Sequence, residues 1–149
     1  MPDDNGLAKT LAAFDRIMSA PRAAIIPALE KSGREVANAQ KHLAAGSRDT
    51  GALIDSIAVT LPGASTPAYS QPGGSRVAGP TEVIVTAGNT DVRYAHLVEY
   101  GTSHSHAQPF FWPGFRLLKR RSENRLKRVA KRAVKNAWND EAAGGTSDD

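Results

Sequence analysis

Residues 116–139 carry ten Lys or Arg and one acid, Glu123. That density of like charge constrains the fold more than any other feature. Such a run cannot enter a core, so it must face water or a partner of opposite sign. Winding it as a helix from Gly114 to about Asn139, at about 100° per residue, reconciles it with burial. Leu118, Ser122, Leu126, Val129, Ala130, Ala133 and Ala137 then fall within about 60° of Phe115. Arg116, Arg120, Arg121, Arg125, Lys127, Arg128, Lys131, Arg132 and Lys135 take the opposite side, and Lys119 lies on the apolar edge. The spacing predicts a long amphipathic helix with a basic outer face.

The charge is confined to that segment. The 149-residue chain has a formal net charge of +4, yet residues 1–115 balance nine basic against ten acidic residues. The last ten residues hold Asp140, Glu141, Asp148 and Asp149, and residues 142–149 read as a frayed acidic tail. Cysteine is absent, which excludes disulfide frameworks, thiolate metal sites and cysteine nucleophiles. No apolar run approaches the ~20 residues of a membrane span. The opening Met-Pro-Asp-Asp is acidic where a secretory signal is basic. We expect a soluble, non-exported chain, one domain over residues 1–149, with no membrane partner.

The N-terminal region also reads as helix. Leu7, Leu11, Phe14 and Met18 are spaced by four, three and four, and the series resumes at Ile25, Leu29, Ser32, Val36, Ala39 and Leu43. Pro21 fits the first turn of a new helix capped by Ser19, and Pro27 should kink the helix or postpone its start. The stripe is expected to pack on a sheet or a neighbouring subunit, with a stop at Gly46. A loop follows over residues 46–51. Leu53 to Leu61 then alternates with period two and predicts a half-buried strand. Residues 81–87 predict a second strand, antiparallel to the first. The connection, 62–80, contains four Pro, four Gly and three Ser. It is either a tolerated insertion or an arm that orders only against a partner. Residues 88–92 read as a turn, 94–100 as a short helix ended by Gly101, and 102–109 as polar loop. Pro109 and Pro113 should hold Gln108 and Trp112 extended.

Catalytic patterns are missing. No phosphate-binding glycine loop, dinucleotide fingerprint or nucleophile elbow occurs. His104-Ser-His106 supplies at most two metal ligands, and a third such as His96 or Glu99 would have to fold back onto it. We expect no catalytic residues, no metal and no cofactor. Phe110, Phe111, Trp112 and Phe115 gather four of the nine aromatics into six positions. They suit both a plug where the last helix docks and interface anchors. The basic face suits phosphate, an acidic protein surface or plain solvation.

Tyr94-Ala-His-Leu-Val-Glu-Tyr-Gly-Thr102, then Ala107-Gln-Pro-Phe-Phe-Trp-Pro113 and a basic helix, resembles the tail-completion or head–tail joining proteins of long-tailed phages. These are related to the lambda minor tail protein Z and to the gene-ten product of other lambdoid phages. Upstream, Thr50-Gly-Ala-Leu-Ile-Asp-Ser-Ile57 resembles a second motif of that family, with Ile54 where the family often has Arg. The resemblance covers about residues 45–135. The 62–80 connection is longer than a minimal hairpin loop, and Trp112 fills a variable position.

The resemblance implies a structural virion protein at the neck or tail end, acting in the host cytoplasm during assembly. It implies a homo-oligomer, a sixfold ring, that contacts head-connector or stopper and tail-tube proteins, with non-specific contact to DNA in the neck channel. Tyr94, Glu99, Tyr100, Gly101, Phe110, Phe111, Trp112 and Pro113 are the expected protein interface, and the N-terminal helix offers a second face. The alternative is a nucleic-acid-binding module using the basic helix. The fold expected is α+β: an antiparallel sheet of three or four strands with a long hairpin loop, a kinked N-terminal helix and a long C-terminal one.

Overall fold

The computed structural model describes residues 4–46 and 51–144. Residues 47–50 of the expected loop and 145–149 of the acidic tail lie outside that range. The fold is mixed: two long helices, two short ones and a small antiparallel sheet.

The N-terminal stripe is one continuous helix, α1, Asp4–Ala44, with Pro21 and Pro27 both inside it. Neither proline starts a helix, contrary to expectation. Ser19 is not an N-cap, because its hydroxyl donates to the Arg16 carbonyl at 3.1 Å, within the helix. Pro27 leaves the carbonyl four residues back without its usual donor. Both Pro27 and Ala23, which owns that carbonyl, lie on the exposed side, where the carbonyl is open to solvent.

The segment read as one strand over Leu53 to Leu61 divides in two. Gly51–Ser56 form the short helix α2, and only Ala58–Thr60 form strand β1. The reason is the burial pattern: Leu53, Ser56 and Ile57 enter the core while Asp55 is exposed, which a helical turn allows and a period-two strand, with 53, 55 and 57 on one face, does not. Strand β2, Ile84–Thr86, pairs antiparallel with β1 in the register Ala58↔Thr86, Val59↔Val85, Thr60↔Ile84. Among the described residues the sheet therefore has two strands, fewer than the three or four expected.

The Pro- and Gly-rich connection is built into the molecule. Ser65↔Val77 and Gln71↔Ala87 form isolated antiparallel bridges. Thr66 Oγ1 donates to the Gly74 carbonyl at 3.0 Å and accepts from the Arg76 amide at 2.9 Å. Thr66, Ser70 and Ala78 are buried. The segment supplies its own backbone partners, unlike an arm that takes form only on a partner.

After the turn, α3 spans Ala95–Tyr100 and α4 spans Phe111–Gly144. The last helix thus begins earlier and ends later than the periodicity placed it. It runs antiparallel along α1: Gln40 Nε2 donates to the Phe111 carbonyl, Arg125 pairs with Glu35, and Arg16 pairs with Glu141. Leu118, Ser122, Leu126, Val129, Ala130, Ala133 and Ala137 are half-buried, and the predicted stripe faces α1. The helices touch backbone to backbone at Gly114, where an added Cβ would lie 2.6 Å from Gln40 Cγ and 3.0 Å from Gln40 N. The sheet closes on α1 at Gly33, where a Cβ would lie 2.9 Å from Val83 Cγ1. Ala37, Ala44, Leu53, Ile57, Val92, Ala95, Phe110 and Phe111 belong to the core so enclosed.

Candidate functional site

Two helices meet where α3 abuts the start of α4. A helix leaves its first amides without intrahelical acceptors. Here a side chain from another helix supplies them. Glu99 of α3, only 7% exposed, turns its carboxylate onto the N-terminus of α4. Its Oε2 accepts from the Phe110 and Phe111 amides at 2.8 and 2.9 Å, and its Oε1 from the Trp112 amide at 3.1 Å. The next residue is Pro113, which has no amide to satisfy, and the regular ladder takes over with Gly114 N donating to Phe110 O at 3.2 Å. Every N-terminal donor of α4 is accounted for, and the negative carboxylate lies at the positive end of the helix dipole.

This geometry corrects the reading of Trp112. It is helical, because Pro113 sits in the first turn, where proline's fixed φ and missing donor are tolerated. The neighbouring residues of the motif serve the same joint. Tyr100 Oη accepts from Trp112 Nε1 at 2.8 Å. The Val98 carbonyl accepts from the Gln108 amide at 2.8 Å. Gly101 has φ 77°, and a Cβ there would lie 2.7 Å from Ala107 N, so only glycine fits. Thr102 Oγ1 accepts from the His104 and Ser105 amides at 3.2 and 3.1 Å and closes the loop. Phe110, Phe111, Trp112 and Phe115 then form a chain of edge-to-face contacts, with centroid separations of 6.4, 5.1 and 6.1 Å.

The upstream motif makes a second joint. Ser56 Oγ donates to the Leu53 carbonyl at 2.6 Å and accepts from the Gly88 amide at 3.0 Å. It thereby ties α2 to the turn after β2. Thr50 of that motif lies outside the described residues.

The expected interface residues therefore divide. Glu99, Phe110 and Phe111 are buried within the chain and form the cap and core, so in the single chain they present no surface to a partner. Tyr94, Gly101, Trp112 and Pro113 are half-buried and Tyr100 is exposed. The basic set divides too. Arg116, Arg120, Arg121, Lys127, Arg128, Lys131, Arg132 and Lys135 are exposed. Arg125 is not, with 11% of its side chain accessible. Its guanidinium donates to both Glu35 oxygens at 3.0 and 2.9 Å and to Ser32 Oγ at 3.0 Å. Placed at the margin of the apolar stripe, its long side chain reaches across to α1. The Arg125 hydrogen bonds, with the charges of Arg125 and Arg121, hold the Glu35 carboxyl below its ordinary range against the opposing effect of burial.

Sequence reasoning did not pick out Glu35, Gln40, Ser56 or Gly88 as structural partners. Glu35 flanks the α1 stripe in register with the charged helix, which is the one signal the sequence held for that pair. All four histidines are exposed. Among the described residues no three His, Cys, Asp or Glu gather as a metal site, and no helix is long and apolar enough to cross a membrane.

Glu99 and Ser56, the buried polar groups of the two motifs, bond to backbone amides and a backbone carbonyl. The family model described as "Bacteriophage HK97-gp10, putative tail-component" matches residues 7–101, more than half of the chain. The chain belongs to this HK97-gp10-like family of phage tail components, which is not an enzyme family, and is a virion protein. The match takes in Glu99 and ends before the amides it caps. No curated protein and no solved structure matches the chain.

Proposed function

We propose that the protein is a structural component of the phage neck at the tail end, forming a sixfold ring that joins the tail tube to the head connector. The observation that carries this reading is membership of the tail-component family. The joint between α3 and α4 supports it, since the motif residues there fix the relative position of two helices. A ring requires two different faces on each subunit. The exposed parts of the Tyr100–Trp112 region and the N-terminal helix supply two. The partners are further copies of the chain, the connector or stopper, and the tail tube.

The test is genetic and visual. Phage lacking the protein should accumulate separate heads and tails, and supplying the protein should restore joining. Joined, infectious particles in its absence would refute the role.

A second reading rests on eight exposed cations on the outer face of α4, with Lys119 exposed on its apolar edge. As a nucleic-acid module, the helix would contact phosphates without base recognition, because aromatic interleaving is missing from it. Affinity for duplex DNA should then fall steeply with salt. No binding at low salt would remove this reading and leave acidic protein surfaces as the partners of that face.

A further inference from the structure

The apolar stripe of α1 is covered over only part of its length. Ser32 and Val36 are buried, and the sheet closes over Gly33 between them. Toward the N-terminus the same stripe continues as Leu7, Leu11, Phe14 and Met18, each more than half exposed. Among the described residues only the end of α4 approaches it, at Phe14, which lines an open cleft with Trp138 and Ala142. Four such side chains expose on the order of 400 Å² of apolar surface, the core of an interface of ordinary size, about 800 Å² per partner.

The chain also holds a receiving shape. Between α1, the sheet and α4 lies an open groove of about 320 Å³, lined by Leu29, Val36, Val83, Val85, Phe115 and Leu126 among others. Gln40 and Ser122 line it too, and Gln40 Oε1 and Ser122 Oγ are buried with no hydrogen-bond partner. Orphaned polar atoms beside an apolar void mark packing that the single chain leaves incomplete.

Resting on the ring reading above, we infer that the Leu7–Met18 ridge of one copy seats in the α1–sheet–α4 groove of the next. Three features select a second copy as occupant. Ridge and groove are both apolar and both present on one chain, so each subunit can give one and receive the other, the head-to-tail contact from which rings close. The spacing of the ridge, four-three-four, is that of a helix seam made to enter a groove. Charges at the margins are balanced: Asp15 and Arg22 flank the ridge, Lys119 and Glu123 the groove. A nucleic acid would find no cationic track there, and the basic face of α4 lies elsewhere.

The natural chain has no cysteine, so an introduced one reports unambiguously. Leu11→Cys and Lys119→Cys proteins are mixed, oxidised and run without reductant, with helicity checked by circular dichroism. Disulfide-linked dimers are expected from the mixture well in excess of either protein alone. A Leu11→Cys protein that links to itself better than to Lys119→Cys would mean ridge against ridge and overturn the inference. Oligomers by sedimentation without a mixed cross-link would overturn this contact and leave the ring standing. A monomer at every concentration would overturn both. As an independent measure, Leu11→Asp, clear of that cleft, should abolish association and keep the melting temperature of the isolated subunit. Association equal to that of the unaltered protein would overturn the inference.

Discussion

Replacing Glu99 by Gln tests the cap on α4 most directly. The substitution keeps the shape and removes the charge and one of two acceptor oxygens. If the remaining oxygen faces the Phe110 and Phe111 amides, the new amide nitrogen meets the Trp112 amide, donor to donor. A buried donor left unsatisfied costs about 1–3 kcal/mol. Loss of the negative charge at the helix N-terminus adds about 0.5–2 kcal/mol. The sum predicts about 1.5–5 kcal/mol of destabilisation, a large part of the stability of a chain this size. Glu99→Ala should cost more, because all three amides at 2.8, 2.9 and 3.1 Å lose their acceptor. Tyr100→Phe, which removes only the Trp112 Nε1 acceptor at an exposed position, should cost about 1 kcal/mol or less. The assay is urea unfolding followed by far-ultraviolet circular dichroism, with the slope required to stay constant. A Glu99→Gln change under about 0.5 kcal/mol, comparable to an ordinary surface substitution, would refute the argument.

Three further outcomes follow from the helix pairing and the core. Arg125→Ala should destabilise by about 1.5–3 kcal/mol by stranding Glu35, while Arg128→Ala on the outer face should stay within about 0.5 kcal/mol; equal effects in urea titrations would mean the helix is turned wrongly. Glu35 is held below the ordinary carboxylate value of 4.5 by Arg125, so its contribution is full above that value and is lost as pH falls below it. Stability measured against pH should show the gap between the unaltered protein and Glu35→Gln widest near neutrality and closing in acid, and a constant gap would contradict the assignment. Leu53→Ala, at a fully buried site, should cost about 2–5 kcal/mol by thermal or urea unfolding, and Leu126→Ala, half-buried, clearly less.

The long helices were legible because a stripe repeated over many turns leaves little choice. Leu118, Leu126 and Val129 pointed inward as their spacing required, and the turn stop at Gly101 followed from its residue type. Short-range reading failed where long-range packing decided. Leu53 and Ile57 fit both a strand and a helical turn, and it was buried Ser56 beside exposed Asp55 that distinguished the turn. Trp112 obeyed the rule for residues before proline less than it obeyed a carboxylate thirteen residues earlier. Glu99 itself looked like a surface acid in a motif, since nothing local says that its acceptors are needed by a helix that has not yet begun. Arg125 sat at the margin of a charged face, where one rotamer faces water and another reaches Glu35.

Length gives the α3–α4 joint a mechanical meaning. The 34 residues of α4 extend about 50 Å, with Glu99 at one end and the Trp138 region near the other. Such a rod is held at both ends, by Glu99 at its root and by the Arg16–Glu141 pair near its tip. A tilt of about 5° at the carboxylate would swing the far tip by about 4 Å over that span, more than the distance across a hydrogen bond. How accurately the tip meets anything therefore depends jointly on three hydrogen bonds at the root and one ion pair at the far end.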